Sequence, residues 1–344
     1  MVLGPCPVPA VVAATPGVPP DPAPAGSGRR TLSGGSSAAH RRAMTSAPST
    51  SPPVVVGVDG SASSRDAVRW AARAAALRHA PLVLVTTRAE LFTLVGAGAP
   101  AAWLDVQDDT ARVHLDDAAR TATDTADVAV STVLDPGTAA GALLAHSRTA
   151  RLLVVGSRGL GELTGGLVGS VSTAVVSHAQ CPVVVVRGLP PADEPALTGP
   201  VVVGVDATPT SVPAVAAAFE EAALRGAELV AVHAWTELDL ATVYALDSPH
   251  RRLDADELAR GQELLLAEAL AGWQERYPDV TVTRVVVADR PVAHLLDRAE
   301  GAQLVVVGTH GRSGLASMLL GSTSRALLHA TPCPLMVVRP TATR

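Results

Sequence analysis

From about residue 54 the chain alternates short, unbroken apolar runs with longer amphipathic stretches. The apolar runs predict strands near 54–58, 82–87, 128–134, 152–156 and 183–187, and the stretches between them predict helices near 63–79, 108–124, 138–148 and 169–179. A second set of strands follows near 201–205, 228–235, 280–287, 303–307 and 335–339, again with helices between. The runs are continuous Val and Leu rather than alternating, the pattern of strands covered by helices on both faces. In the first helix, Ala67, Trp70, Ala71, Ala74 and Leu77 keep the spacing of one buried face. Ser63, with Asp66 three residues later, predicts its N-terminal cap. Strands and helices in strict alternation leave few topologies besides a doubly wound sheet. The expected fold is therefore α/β: two doubly wound, parallel, five-stranded domains in tandem.

The tandem reading rests on repetition. Val54-Val55-Val56-Gly57-Val58-Asp59 recurs letter for letter at Val201-Val202-Val203-Gly204-Val205-Asp206, an offset of 147 residues. Leu153-Val154-Val155-Gly156 is answered by Val305-Val306-Val307-Gly308, Gly169-Ser170 by Gly321-Ser322, and Cys181-Pro182 by Cys333-Pro334, each at an offset of 152. About five residues are thus inserted mid-unit in the second copy. Ordered matches at near-constant offset mark a duplicated unit.

Residues 1–52 are rich in Pro, Ala, Gly and Ser and show neither period, so they are expected to form a disordered tail. The twin arginines at Arg29-Arg30 and Arg41-Arg42 are not followed by an apolar segment, which argues against an export signal. Translation from Met44 would begin a few residues before the first strand. Mass spectrometry of the native N-terminus tests that start, and a peptide from upstream of Met44 would exclude it. The first domain is expected over 53–187 and the second over 200–340, with proline-rich residues 188–199 as linker.

Composition narrows the chemistry. All 27 basic residues are arginine, and the chain contains no lysine, isoleucine or asparagine. A Walker A loop, a kinase-type nucleotide lysine and a Schiff-base lysine are therefore excluded. A net charge of −5 argues against a nucleic-acid partner. No apolar stretch is long enough to span a bilayer. Cys6, Cys181 and Cys333 form no CxxC pair, and neither a disulfide framework nor a zinc site is expected. The expected setting is the cytoplasm.

Ligands of doubly wound sheets bind at the carboxyl ends of the strands. The fourth strand of the first copy ends there in Gly156-Ser157-Arg158-Gly159, and nine residues later Gly169-Ser170 opens a helix. The second copy repeats this as Gly308-Thr309-His310-Gly311, nine residues, then Gly321-Ser322. Glycines allow close approach of backbone to phosphate, and first-turn amides lie at the positive end of the helix dipole. The amides of Ser170, Val171 and Ser172, with the serine hydroxyls, can thus hold phosphate oxygens without any lysine. One such loop would be read first as a connection; the same G-x2-G-x9-G-S spacing twice favours a site. Asp59 and Asp206 end the first strands at the same crevice, where a carboxylate accepts from a ribose hydroxyl, helps hold Mg²⁺, or caps a helix. Arg158, His310 and Arg312 are candidate phosphate contacts or solvated loop cations. Cys181 and Cys333 are read as small residues opening the fifth strands. The acidic stretches Asp105–Asp117 and Asp254–Glu263 are read as solvated helix faces. His233, opposite Thr86 in the other copy, is given no catalytic role.

The repeated Gly-Val-Asp strand end, the G-x2-G-x9-G-[S/T] loop and the Cys-Pro before a final valine strand resemble the universal stress protein family in its tandem form, over about residues 53–340. The resemblance implies a Rossmann-like, adenine nucleotide alpha hydrolase-like domain in each half. It implies ATP binding, with Mg²⁺ as a candidate companion. The phosphates would lie in the glycine loop, the ribose near the first-strand aspartate, and the adenine against the backbone of Thr87 or Ala234. Carried over residue by residue, the first site is Asp59, Val155, Gly156, Gly159, Gly169, Ser170, Val171 and Ser172. The second is Asp206, Val307, Gly308, Gly311, Gly321, Ser322, Thr323 and Ser324. One departure is expected to perturb the second site: Ala207-Thr208-Pro209-Thr210 replaces Gly60-Ser61-Ala62-Ser63, and Pro209 lacks a donor. The resemblance also implies pairing of the two domains about a pseudo-twofold axis through their fifth strands, with a homodimer and unidentified protein partners as further candidates. Two functions stay open: an ATP-binding stress protein whose occupancy signals to partners, and an ATP-using enzyme, an ATPase or nucleotidyl transferase. An interaction scaffold with empty sites is a third. Hydrolysis needs a positioned base, and no histidine repeats at equivalent site positions.

Overall fold

A computed structural model of the chain describes residues 51–88, 101–159, 168–187, 198–235, 255–310 and 320–340. Most of the predicted tail, most of the predicted linker, Gly311 and Arg312 lie outside them. The first half runs β1 (Val54–Gly57), α1 (Ala62–Leu77), β2 (Leu82–Thr87), α2 (Ala101–Thr125), β3 (Val130–Asp135), α3 (Ala139–His146), β4 (Leu152–Gly156), α4 (Ser170–His178) and β5 (Val183–Val186). The second runs β6 (Val201–Gly204), a 3-10 turn (Pro209–Ser211), α5 (Val212–Arg225), β7 (Leu229–Trp235), α6 (Ala255–Arg276), β8 (Val282–Ala288), α7 (Pro291–Ala299), β9 (Leu304–Gly308), α8 (Ser322–Ala330) and β10 (Leu335–Val338).

Among the described residues, ten strands form one sheet in the order β3-β2-β1-β4-β5-β10-β9-β6-β7-β8. Within each half every pairing is parallel, as in Val54 against Leu82 and Val201 against Leu229. The seam is the exception: β5 and β10 pair antiparallel, with Val184 opposite Met336. The continuous valine runs follow from two covered faces. Val54, Val56, Val201 and Val203 join a cluster with Ala67, Ala71, Ala218 and Phe219 of α1 and α5. Val55, Val155, Val202 and Val307 point the other way, into a cluster with Leu143, Val175, Leu295 and Leu327. Each cluster draws on both halves, so the apolar core crosses the seam on both faces.

Two local expectations for α1 are corrected. The cap is Ser61, not Ser63: Ser61 takes an extended backbone and its side chain accepts from the Ser64 N–H. Ser63 lies inside the first turn, and its hydroxyl is engaged elsewhere. The buried face also ends earlier than its period suggests. Leu77 is 38% exposed, and the stripe passes to Arg78, whose side chain is 5% exposed. The second helix starts at Ala101 rather than near 108. Its first residues are mostly apolar and carry no charge contrast by which an amphipathic start could be recognised. Beyond them Asp109 and Asp117 are solvated, paired with Arg112 and Arg120, whereas Asp108 bonds Arg88 (Nε to Oδ1, 2.5 Å). That hydrogen bond holds the Asp108 carboxyl below its ordinary value.

Candidate functional site

At the carboxyl ends of β1 and β4, Asp59 turns its carboxylate back on its own chain, where Oδ1 accepts from the Ser61 N–H at 2.9 Å. Gly60 follows with φ of 82°, and a Cβ there would fall 2.6 Å from the His114 ring. Ser63 joins the start of α1 to the glycine loop: its hydroxyl donates to the Arg158 carbonyl at 2.6 Å and accepts from the Arg158 N–H at 3.2 Å. This clip explains the first loop glycine, since a Cβ on Gly156 would fall on Ser63. A Cβ on Gly159 would come within 2.7 Å of Asp59 Oδ2. The structure thus brings Asp59, Gly156 and Gly159 together.

Gly169 caps α4 and Gly321 caps α8, both in extended conformation and both without a side-chain cap. Glycine leaves the first-turn amides of Ser170–Ser172 and Ser322–Ser324 without a side-chain acceptor, a ready anion-binding arrangement. The loops match in detail. Gly169 N–H donates to Ser157 O at 2.9 Å and Gly321 N–H to Thr309 O at 2.7 Å. Ser172 Oγ donates to Gly156 O at 2.7 Å and Ser324 Oγ to Gly308 O at 2.6 Å. These two hydroxyl protons therefore tie helix to strand end. Ser157 Oγ is buried without a protein partner. Burial pushes the Arg187 guanidinium down from its ordinary value, and the Arg158 charge adds to the shift, so two cations neighbour one another in the first half.

In the second half a cavity of about 270 Å³ opens at the same place. It is lined by Asp206 at the end of β6, Ala234 on β7, Val307 and Gly308 at the end of β9, and Gly321, Ser322, Thr323 and Ser324 at the start of α8. Asp206 Oδ1 accepts from the Thr208 N–H at 2.9 Å and from its hydroxyl at 2.7 Å, and the Thr208 and Thr210 hydroxyls lie 2.6 Å apart. Pro209 opens the 3-10 turn, where a helix start leaves an N–H unsatisfied anyway. In the first half, Thr87 stands at the place of Ala234, last in β2 and opposite Asp135.

Other cavity residues were not singled out by the repeats: Val232, Trp235, Asp289, Pro291 and Leu295. Asp289 and Arg290 are consecutive left-handed residues with φ of 54° and 49°. Asp289 lines the cavity, and a non-glycine residue in this conformation costs roughly 1–3 kcal/mol. The usable signal is a carboxylate closing an apolar run, Val285-Val286-Val287-Ala288-Asp289, as Asp59 and Asp206 close theirs. His310 also lines the cavity, with Nδ1 3.1 Å from Thr309 Oγ1. His233 is a core residue: Nδ1 lies 2.7 Å from Val205 O, the place Thr86 Oγ1 takes against Val58 O at 2.6 Å. Cys181 and Cys333 are buried just ahead of β5 and β10, and burial pushes both thiols up to about 12. Among the described residues no cluster of three or more His, Cys, Asp or Glu side chains could hold a metal ion, and no helix is long and apolar enough to cross a membrane.

The family model described as "Universal stress protein family" matches residues 51–187 and again 198–339. The chain belongs to the universal stress protein family. Universal stress protein Mb2028c of Mycobacterium bovis is 44% identical over 291 residues, which cover 83% of this chain and 96% of that protein. Universal stress protein Rv2623 of Mycobacterium tuberculosis is 40% identical over 295 residues, 84% of this chain and 97% of that one. Among solved structures, a universal stress protein from Archaeoglobus fulgidus superimposes with a TM-score of 0.62 at 18% identity, covering 84% of this chain and 99% of that one. At that identity the likeness concerns the fold, and the two family matches coincide with the internal repeat.

Proposed function

We propose that this protein binds adenine nucleotide, ATP by preference, at the strand ends of each half, and that occupancy rather than turnover is its output. The observation that carries this reading is the second-half cavity. Part of its wall is built from residues that the internal repeat marks out, Asp206, Val307, Gly308, Gly321 and Ser322, and it ends on a glycine-led helix start with no side-chain cap. That donor set suits phosphate, because uncapped amides at the positive end of a helix dipole favour an anion. Val232, Leu295 and the backbone of Ala234 offer an apolar wall for a base, and Asp206 lies where a ribose hydroxyl would need an acceptor. In the first half Asp59, Gly159 and the α4 amides would do the same work, with Arg158 near the phosphates. A magnesium ion would be held mainly by phosphate oxygens, since the aspartate brings only one carboxylate.

The decisive experiment is to denature the purified protein and identify what is released, then to titrate the emptied protein with ATP by calorimetry. Adenine nucleotide in the extract and a stoichiometry near two are expected. Gly321→Glu should weaken the second site at least about tenfold, because a carboxylate would face phosphate. Unchanged affinity and stoichiometry in the Gly159→Glu/Gly321→Glu double variant would sink the assignment.

The enzymatic alternative has one observation in its favour, the imidazole of His310 in the cavity. Single-turnover assays with Mg-ATP decide it. Turnover near ~1 s⁻¹, typical of a working enzyme, that is lost in His310→Ala would replace the binding reading. We place the protein in the cytoplasm, acting on protein partners alone or as a homodimer.

A further inference from the structure

The second half takes hold of the first half's glycine loop. In the last turn of α8, His329 reaches across the seam, and its Nδ1 accepts from the backbone N–H of Val168 at 3.4 Å. Val168 directly precedes Gly169, the cap of α4. The histidine is itself tethered by the first half, since the Arg187 guanidinium at the end of β5 donates to the His329 carbonyl. The contact is one-sided, because α4 carries Ser177 at the position equivalent to His329.

Hydrogen bonds at the next residue carry this contact into the helix. The Gly169 N–H is tied to Ser157 O, and its carbonyl accepts from the Thr173 N–H at 2.9 Å. Gly169 thus orients the first turn of α4, and the other half anchors the residue directly before it through the Val168 N–H. The opposite end of the same nine-residue helix that bears His329, Ser322–Ser324, lines the second cavity. A helix of that length is a rod of roughly 13 Å.

We propose that His329 is a positioning residue acting across the halves: its Nδ1 sets the first phosphate loop, and α8 links that loop to the second site. Nucleotide at the second site, by drawing on the amides that start α8, changes the affinity of the first. The coupling is reciprocal, as linkage requires. The positioning part stands on geometry, while the affinity part rests on the nucleotide reading above.

Two substitutions separate the acceptor from the bulk of the ring. His329→Asn keeps an acceptor where Nδ1 was, whereas His329→Gln keeps size but moves the polar end to the place of Nε2. Amide hydrogen exchange in the full chain reads the Val168 N–H directly and needs no nucleotide. Exchange about fivefold faster in His329→Gln and restored in His329→Asn is expected for the loss of one such hydrogen bond. Equal exchange in all three proteins, or equal acceleration in both variants, would overturn the acceptor role.

ATP titration on a Gly321→Glu background, with the second site disabled, then reads the first site alone. There His329→Gln should weaken binding about fivefold and His329→Asn should restore it. Accelerated exchange with unaltered affinity would overturn the link between loop and ligand. A parent that binds no nucleotide on this background would overturn the nucleotide reading of the first half and leave the exchange result to decide His329's role. In the unmodified chain the two binding events should be cooperative, and independent binding would exclude the coupling.

Discussion

The sharpest contrast between the two halves lies at one backbone position. Gly60 and Ala207 occupy equivalent places after the first-strand aspartates, and both are left-handed, with φ of 82° and 57°. Glycine takes that conformation freely, whereas alanine is strained by roughly 1–2 kcal/mol. Ala207→Gly should therefore stabilise the protein by about 0.5–1 kcal/mol, after the larger unfolded-state entropy of glycine is subtracted. Gly60→Ala should destabilise by about 2–3 kcal/mol, because strain is joined by a Cβ 2.6 Å from the His114 ring. Urea midpoints of the two variants check both signs, and a stabilised Gly60→Ala would refute the argument. The thiols give a second expectation at this scale. Burial raises Cys181 and Cys333 from an ordinary value of 9.0 to about 12, so above pH 9 the unfolded chain loses those protons while the folded chain keeps them. The unfolded state then binds fewer protons, and stability falls as pH rises from about 9 towards 12, by up to about 1.4 kcal/mol per thiol per unit. Urea unfolding at pH 8 and 10 should show the loss, and a Cys181→Ala/Cys333→Ala protein should show a flatter profile.

At the scale of elements, burial decided what the sequence made legible. Strands covered on both faces must be apolar at every position, so β1, β4, β6 and β9 stand out as valine runs, and the residues that end them mark the site. Helix starts are harder to read, because capping depends on backbone conformation rather than on residue type. Ser61, Ser63 and Ser64 are alike as letters, but only Ser61 is extended, and Ser63 instead clips the glycine loop. Asp289 and Trp235 are hidden for a different reason: Gly137 and Arg88 stand at their places in the first half, so no repeat flags them. The Ser63 clip carries its own test. Ser63→Ala removes two hydrogen bonds, leaving the Arg158 N–H unpaired and its carbonyl with only the longer 3.4 Å bond from the Ser61 hydroxyl, a cost of about 1–3 kcal/mol. Exchange of the Arg158 amide should accelerate along with the fall in urea midpoint, and a slow amide in the variant would show that the clip holds nothing.

Over the whole molecule, the halves meet at the antiparallel β5–β10 seam and at a buried charge cluster beside it. Arg78 and Arg225 are equivalent residues of the repeat, and both converge on one carboxylate, Glu221, which is bonded by the Arg78 guanidinium and by Arg225 Nε at 3.1 Å. Glu221 has no counterpart, since Ala74 stands at its place in the first half. The asymmetry continues in Trp70, over whose ring the Arg225 guanidinium lies 5.2 Å from the centroid. Two guanidiniums on one carboxylate, itself 2% exposed, make an arrangement in which the acid cannot be removed cheaply. Glu221→Ala leaves buried cations uncompensated and should cost about 3–5 kcal/mol. Replacing all three charges with Met should be close to neutral, because an apolar core of similar volume avoids the desolvation penalty. Calorimetric unfolding distinguishes the consequences. Because the sheet and both core clusters cross the seam, the parent should unfold in one transition, with the triple-Met protein near it. Glu221→Ala should melt earlier. A parent that unfolds in two separate steps would mean that the halves are coupled neither by this cluster nor by the shared core.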